Sequence, residues 1–181
     1  IKKKFFFLLI KSKKFVLSVL NENDETLFNK ELLVNSKNTE GNFKILEKFL
    51  DENIFELEKK FDYFIEDVNL IIDYKDFVTI NVSSIYNFNN TNYQIGSYPS
   101  NLANIKDSVL KNMDDHRLIH MIINKFIIDK KDYLFIPSDN NHKNIFLEIG
   151  FICLKNDVIQ NLKFFFSKYK ISIKNISCFE Y

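Results

Sequence analysis

The sequence is short of the residues that bend, staple and specialise a chain. Its 181 residues include three glycines, two prolines, two cysteines and no tryptophan. Scarce glycine excludes a Gly-rich phosphate cradle, because a side chain hinders close approach of the backbone to an anion. Two lone cysteines, Cys153 and Cys178, exclude a CxxC redox or zinc pattern. Both sit in apolar runs and read as buried free thiols rather than as a disulfide. Arginine is almost missing: Arg117 is the only one. Bidentate phosphate reading favours arginine, so a phosphate-recognition role loses its usual instrument. The net charge of +1 argues against a strongly basic nucleic-acid binder. No apolar run is long enough to span a bilayer, which takes roughly 20 residues. The run Phe5–Ile10 follows three lysines like the start of a signal peptide, but no small-residue cleavage site follows it. It reads as a first strand.

Phenylalanine is abundant, with 20 copies, and 46% of the residues are hydrophobic. Each buried phenylalanine removes roughly 150–250 Å² from water, so a substantial core is within reach. The length suits one large domain or two small ones. Phe5–Ile10, Lys14–Leu20 and Thr26–Val34 read as strands, separated by Lys11-Ser12-Lys13 and Asn21-Glu22-Asn23-Asp24 as turns. A helix is expected from about Asn42 to Ile65. Its apolar face carries Leu46, Phe49, Leu50, Asn53, Ile54, Leu57, Phe61 and Phe64, and its Glu and Lys residues form a solvated face. Val68–Asp73 reads as the next strand. Tyr74–Ile85 is β-rich, Asn87–Asn92 reads as a turn, and Tyr93–Gly96 as a short strand. A helix follows to about Asn112, with Leu102, Ile105, Val109 and Leu110 inward.

The stretch Arg117–Tyr181 predicts strand, hairpin, strand, helix, strand. Asn156 or Asp157 is placed to cap the helix, and Val158, Leu162, Phe165 and Phe166 recur at helical spacing. Strand alternation places Ile119, Met121, Ile123, Leu147, Ile149 and Phe151 in one core, with Leu162 and Phe165 from the helix.

This stretch resembles the strand-helix-strand-strand insert of the FtsA family, the actin-like proteins of bacterial cell division. The matching residues are Ile119, His120, Met121, Phe126, Ile127, Ile128 and Asp129, then Pro137, Leu147 and Glu148, then Gln160, Asn161 and Leu162. The strand-strand-strand-helix-strand opening is similar to that family's ribonuclease-H-like core. The resemblance implies an α+β chain: a partial actin-like subdomain over 1–75 and the insert, with two helices on an antiparallel sheet, over 76–181. A start on Ile1 and an end on an apolar strand suggest a piece of a longer protein.

In that family the first hairpin holds nucleotide phosphate and works with magnesium. Here it reads Leu8-Leu9-Ile10-Lys11-Ser12-Lys13-Lys14. Ser12 and Lys14 match the family pattern, and they are the candidate cofactor-binding residues of a degenerate phosphate loop. Leu9 stands where the carboxylate is expected and Lys11 where the glycine is. Leucine offers magnesium no hard oxygen. No cofactor is therefore expected for this chain, although ATP and magnesium belong to the family, and no enzymatic activity is expected.

Other chemistry is sparse. His116 and His120 lie four apart beside Asp114 and Asp115, but no third ligand has metal-site spacing, so structural histidines are expected. Asp129, Asp132 and Glu148 read as turn and strand-end residues. No serine has a recognisable base partner. The resemblance implies a scaffold or tether that links the FtsZ ring to the membrane and recruits later division proteins through the insert. Contact with FtsZ and with the membrane would lie beyond Tyr181, placing the protein in the cytoplasm at the inner face of the cell membrane. Self-association is possible, and no nucleic-acid partner is expected. The docking candidates are the loop Lys130–Asn144 and the segment Lys155–Gln160, with Tyr133, Phe135 and Lys155 as contact residues. A pilus-assembly actin homologue is the alternative, and a nucleotide-dependent ribonuclease-H-like enzyme is a further one.

Overall fold

A computed structural model describes residues 3–35, 39–73, 77–87, 98–133, 135 and 144–180. Among these residues the fold is mixed α/β, with two sheets and three helices. Strands β1 (Lys4–Lys11), β2 (Lys14–Asn21) and β3 (Thr26–Leu33) lead to helix α1 (Thr39–Phe61) and strand β4 (Asp67–Ile72). Then come β5 (Phe77–Asn87), α2 (Tyr98–Leu110), β6 (His116–Ile128), β7 (Lys131–Tyr133) and β8 (Asn144–Lys155). Helix α3 (Asn156–Ser167) and strand β9 (Ser172–Cys178) end the chain. The chain divides into two compact units: Ile1–Lys75 with Ile159–Tyr181, and Asp76–Val158.

The first unit is a five-stranded sheet in the order β3-β2-β1-β4-β9. β1, β2 and β3 pair antiparallel, whereas β4 runs parallel to β1 and β9 parallel to β4. Alternation sends Phe6, Leu8 and Ile10 of β1, Phe15, Leu17 and Val19 of β2, and Val68, Leu70 and Ile72 of β4 to one buried face. Both helices of the unit contribute to that layer. Phe49 of α1 meets Phe15 at 6.4 Å between ring centroids, and Leu50 and Phe166 share a small apolar cavity with Phe6, Leu8, Leu17 and Val68. Asn53 is the one polar residue of this core among the described residues. Its Nδ2 donates to the Phe49 carbonyl at 2.5 Å, while its Oδ1 finds no partner among them.

The tight corners are made almost without glycine. α1 ends at Asp62 in the left-handed region, φ 49°, with the Tyr63 amide donating back to the Glu58 carbonyl at 3.2 Å. α3 ends the same way at Lys170, φ 57°, with the Ile171 amide on the Phe166 carbonyl at 3.3 Å. These are six-to-one helix closures in which Asp and Lys take the position usually given to glycine. The expected helix to Ile65 therefore stops four residues early. Phe64, assigned to its inner face, lies beyond the closure and is 78% exposed.

The second unit is a four-stranded antiparallel sheet, ordered β5-β8-β6-β7, with α2 on one face. Ile128, Ile145, Leu147, Ile149, Phe151 and Cys153 form its core, against Ile80, Val82, Ile105, Val109 and Ile123. Two register shifts in β6, between Leu118 and His120 and between Ile123 and Lys125, break the simple alternation. A bulge adds one residue and moves the following side chains to the other face. Consequently Leu118, Ile123, Phe126 and Ile128 pack inward, Ile119 falls in a bulge, and Met121 is 37% exposed. The placement of Ile119 in the core is corrected on that ground, whereas Met121 stays opposite Phe151 on the core face but is exposed there.

A larger correction concerns the end of the chain. Residues 159–181 were expected in the insert, with a second helix and a fifth strand. Instead β9 extends the first sheet beside β4, and α3 packs against α1. Phe165 lies 5.8 Å from Phe43 between centroids, Lys168 Nζ is 2.9 Å from Glu47 Oε1, and the Tyr169 hydroxyl donates to Asp51 Oδ1 at 2.9 Å. Leu162 and Phe165 thus belong to the first unit's core. The insert keeps one helix, α2. At the start of α3, Asn156 Nδ2 donates to the Asp114 carbonyl at 3.2 Å. The expected turn at Asn87–Asn92 and the strand at Tyr93–Gly96 lie, apart from Asn87, outside the described residues.

Two outcomes follow from the α1–α3 contact. Phe165→Ala is expected to cost about 3–5 kcal/mol, read from denaturant unfolding, whereas Phe164→Ala is expected to cost under about 0.5 kcal/mol because Phe164 is 72% exposed. Burial, then the bond to Asp51 and the nearby Asp51 and Glu47 charges, hold the Tyr169 hydroxyl above its ordinary value of 10.0. The folded protein therefore keeps this proton where the unfolded chain loses it. Its contribution is complete below pH 10 and is lost as pH rises above it. Unfolding titrations are expected to show a shallower alkaline loss of stability in Tyr169→Phe than in the parent.

Candidate functional site

In open sheets with parallel strands, ligands settle at the carboxyl ends of those strands. In the first unit that end gathers the β1–β2 turn, Asp73 after β4, and Phe179 after β9. The turn is a two-residue hairpin: Lys11 pairs with Lys14, and Ser12-Lys13 close it. The Asp73 amide donates to the Ile10 carbonyl at 2.9 Å, and the Phe179 amide to the Ile72 carbonyl at 2.9 Å, so the strand ends are knitted together.

Two of the lysines here, Lys11 and Lys14, have side-chain partners. Lys14 Nζ is 2.5 Å from Glu31 Oε2 on β3, a cross-strand ion pair. Lys11 Nζ stands 3.2 Å from the centre of the Phe179 ring, a cation–π contact. Lys13 gives its carbonyl to the Val34 amide at 2.8 Å. Leu9 occupies the sheet face opposite Leu8, Leu17 and Leu70, half-buried. Ser12 is exposed at the tip. The arrangement holds Ser12 and Lys14 near one another but spends Lys14 on Glu31. Asp73 is the carboxylate that directly follows β4, and the turn forms no backbone nest of left-handed residues, since neither Ser12 nor Lys13 has a positive φ.

The histidine–aspartate cluster of the second unit is a structural junction. His116 Nδ1 lies 2.5 Å from Asp115 Oδ1, and the Asn156 amide donates to the Asp115 carbonyl at 2.8 Å. The hydrogen bond from His116 holds the Asp115 carboxyl below the usual carboxylate range, against an opposing cost of burial that is larger than the help from the His116 charge. The His116 side chain is 9% exposed, and its Nε2 has no partner among the described residues. His120 lies on β6 in the sheet, and no group of three or more metal-ligating side chains occurs among the described residues. The paired-carboxylate candidates separate in space and purpose. Asp129, at φ 46°, turns β6 into β7, and its Oδ1 accepts from the Asn144 amide at 2.9 Å. Asp132 Oδ1 lies 3.4 Å from Lys125 Nζ, and Glu148 is exposed on β8. Cys153 and Cys178 are buried free thiols, and burial raises the Cys153 thiol above its usual value.

The contact candidates divide. Tyr133 is half-buried against the second unit's core. Phe135 is 80% exposed. Lys155 is exposed and ends β8 opposite His116. A cleft of about 660 Å³ runs between α2 and β5, lined by Ile80, Val82, Tyr86, Ile105, Val109 and Met113 among others. It was not anticipated from the sequence, since it depends on how widely α2 stands off the sheet. The Lys11–Phe179 contact was also missed, because it joins residues 168 positions apart.

No family model and no curated protein matches the chain. A solved structure from Bacteroides thetaiotaomicron VPI-5482, described as a protein with actin-like ATPase fold and unknown function, is similar over 97% of this chain. The identity is 14% and the TM-score 0.38, and the match covers 52% of that protein, so this chain spans about half its length.

Titration calorimetry with magnesium-ATP is expected to show no binding in the micromolar range. The expectation rests on Lys14 being held by Glu31 and on Leu9 and Lys11 at the positions of carboxylate and glycine. Tight, magnesium-dependent heat would contradict it.

Proposed function

We propose that this chain is part of a divergent FtsA-like, actin-like scaffold that acts by docking partner proteins rather than by turning over nucleotide. The observation that carries the reading is the placement of the second unit. Asp76–Val158 is inserted in sequence between β4 and the α3–β9 return of the first unit, and its β5-α2-β6-β7-β8 succession contains the strand-helix-strand-strand order of the resemblance, with the short β7 added. The engagement of Lys14 by Glu31 and of Lys11 by Phe179 favours a scaffold over an ATPase. In this reading the partners are later division proteins, recruited at the cytoplasmic face of the membrane. FtsZ and the membrane are reached through regions other than this chain. Among the described residues no helix is long and apolar enough to cross a membrane.

Within the insert, Phe135 and Lys155 are the docking residues. An exposed aromatic beside charged residues is the usual composition of an interface anchor and its rim. Tyr133 packs against the core of the second unit. Binding of purified division proteins to the insert-bearing protein tests the assignment. Phe135→Ala is expected to weaken at least one such partner about tenfold or more, since anchors typically contribute about 2 kcal/mol or more. Lys155→Glu is expected to weaken it less. Unchanged binding of every division protein by both variants would remove the insert surface as the docking site.

A further inference from the structure

Where the parallel strands β1 and β4 begin, at the far end of the first sheet from the β1–β2 turn, the first unit holds a cavity of about 430 Å³. Small-molecule sites run to roughly 300–1,000 Å³, so the volume suits one small ligand. Phe6, Tyr63, Lys4, Lys174, Glu66 and Asp67 line it. The Phe6 and Tyr63 rings stack at 6.4 Å between centroids and 8° between planes, which gives the cavity a flat apolar wall. Around that wall stand charges of both signs. Lys4 Nζ lies 5.2 Å from the centre of the Phe61 ring and 5.8 Å from that of Tyr63. At that distance a ring face attracts the ammonium but leaves its N–H donors unspent. Glu66 is exposed. Its carbonyl accepts from the Ser172 amide and hydroxyl, while its carboxylate has no partner among the described residues. Lys174 Nζ and Asp67 Oδ2 are 3.9 Å apart, balanced in charge but too far for a hydrogen bond. Lys3 also lines the cavity, with its Nζ 5.3 Å from the centre of the Phe5 ring. The β1–β2 hairpin differs: there Glu31 holds Lys14 directly, and Lys11 sits at 3.2 Å on Phe179.

We propose that this cavity binds a free α-amino acid with a flat apolar side chain. Lys4 takes the carboxylate, Glu66 takes the ammonium, and the wall of Phe6 and Tyr63 takes the ring. A purely anionic ligand would meet Glu66 and Asp67 as like charges, and a purely cationic one would meet Lys3, Lys4 and Lys174. A zwitterion answers both signs across a few bonds. A residue inside a peptide carries neither charge on its backbone, so the free amino acid is favoured over a chain segment. Rings also gain from stacking beyond the area they bury, which sets an aromatic side chain above an aliphatic one. The proposal does not rest on the scaffold reading.

Chemical-shift titration of the whole chain by NMR tests it with four probes. L-Phenylalanine is expected to give saturable shifts at Tyr63 and Glu66. Phenylpropionate, which lacks the ammonium, is expected to bind about fivefold more weakly, the worth of one exposed ion pair. Phenethylamine, which lacks the carboxylate, is expected to bind about tenfold more weakly, because the hydrogen bonds to Lys4 are charge-assisted. Glycine, which lacks the ring, is expected to bind at least about tenfold more weakly, because the apolar burial is gone. Glu66 is exposed, so Glu66→Gln is expected to fold like the parent. It is expected to lower L-phenylalanine to the affinity of phenylpropionate and to leave phenylpropionate unchanged. Absence of saturable shifts with L-phenylalanine overturns the proposal. So does phenylpropionate binding as tightly as L-phenylalanine, which would mark a site for anions alone, or glycine binding as tightly. A preference for L-phenylalanine over phenylpropionate that survives in Glu66→Gln overturns it as well.

Discussion

The parallel pairing of β4 with β9 is the constraint on which the rest of the structure depends. An antiparallel neighbour can be reached through a short turn, but a parallel one requires the chain to travel back along the sheet before it pairs. Between β1 and β4 that return is made by α1. Between β4 and β9 it contains the entire second unit and then α3. The second unit is thus an insertion whose two ends are fixed by the first. α3 must lie on the sheet it returns to, which is why Phe165, Phe166 and Ile171 are buried and Phe164 is not.

The closing segment is held by apolar and polar contacts of different worth. Phe165 and Phe166 meet edge to face at 5.4 Å between centroids, and Phe165 also packs on Phe43 and Tyr169. Aromatic pairs of this kind add about 0.5–1.5 kcal/mol beyond the area they bury. The Lys168–Glu47 pair is about half exposed and contributes little, since exposed ion pairs are typically worth about 0–1 kcal/mol. Tyr169 joins the two kinds of contact, with its ring on Phe165 and its hydroxyl on Asp51. The segment is anchored chiefly by its rings, and the charges orient it.

What could be read from the sequence was local. Period-two and period-3.6 patterns place β1, β2, β3, β4, α1, α2, β6, β8, α3 and β9 within a few residues of where they lie, because each pattern records one buried face. What could not be read was pairing at a distance. Nothing in Ser172–Cys178 says whether it belongs beside β4 or β6, since an apolar strand fits either neighbour. The bulges of β6 were equally silent: HRLIHMIINKFII holds no glycine or proline to announce them, and the extra residue of the first bulge is Ile119. At the candidate site, the substitutions at Leu9 and Lys11 were visible. The commitments of Lys14 to Glu31 and of Lys11 to Phe179 were not, because they depend on β3 and on the residue after β9.

Scarce glycine shapes the chemistry as well as the turns. The β6–β7 corner places Asp129 and Lys130 in succession at φ 46° and 69°, the geometry of a two-residue hairpin that normally recruits Asn-Gly. A left-handed residue with a Cβ costs roughly 1–2 kcal/mol, which at Asp129 is offset in part by its Oδ1 accepting from the Asn144 amide. A chain that makes its corners this way can present side chains but hardly bare backbone. Nucleotide phosphate is held largely by bare backbone amides, which need a neighbour without a Cβ or a left-handed nest. Strand edges and exposed rings need neither. Exposed rings such as Phe135 are what such a chain offers at its surface.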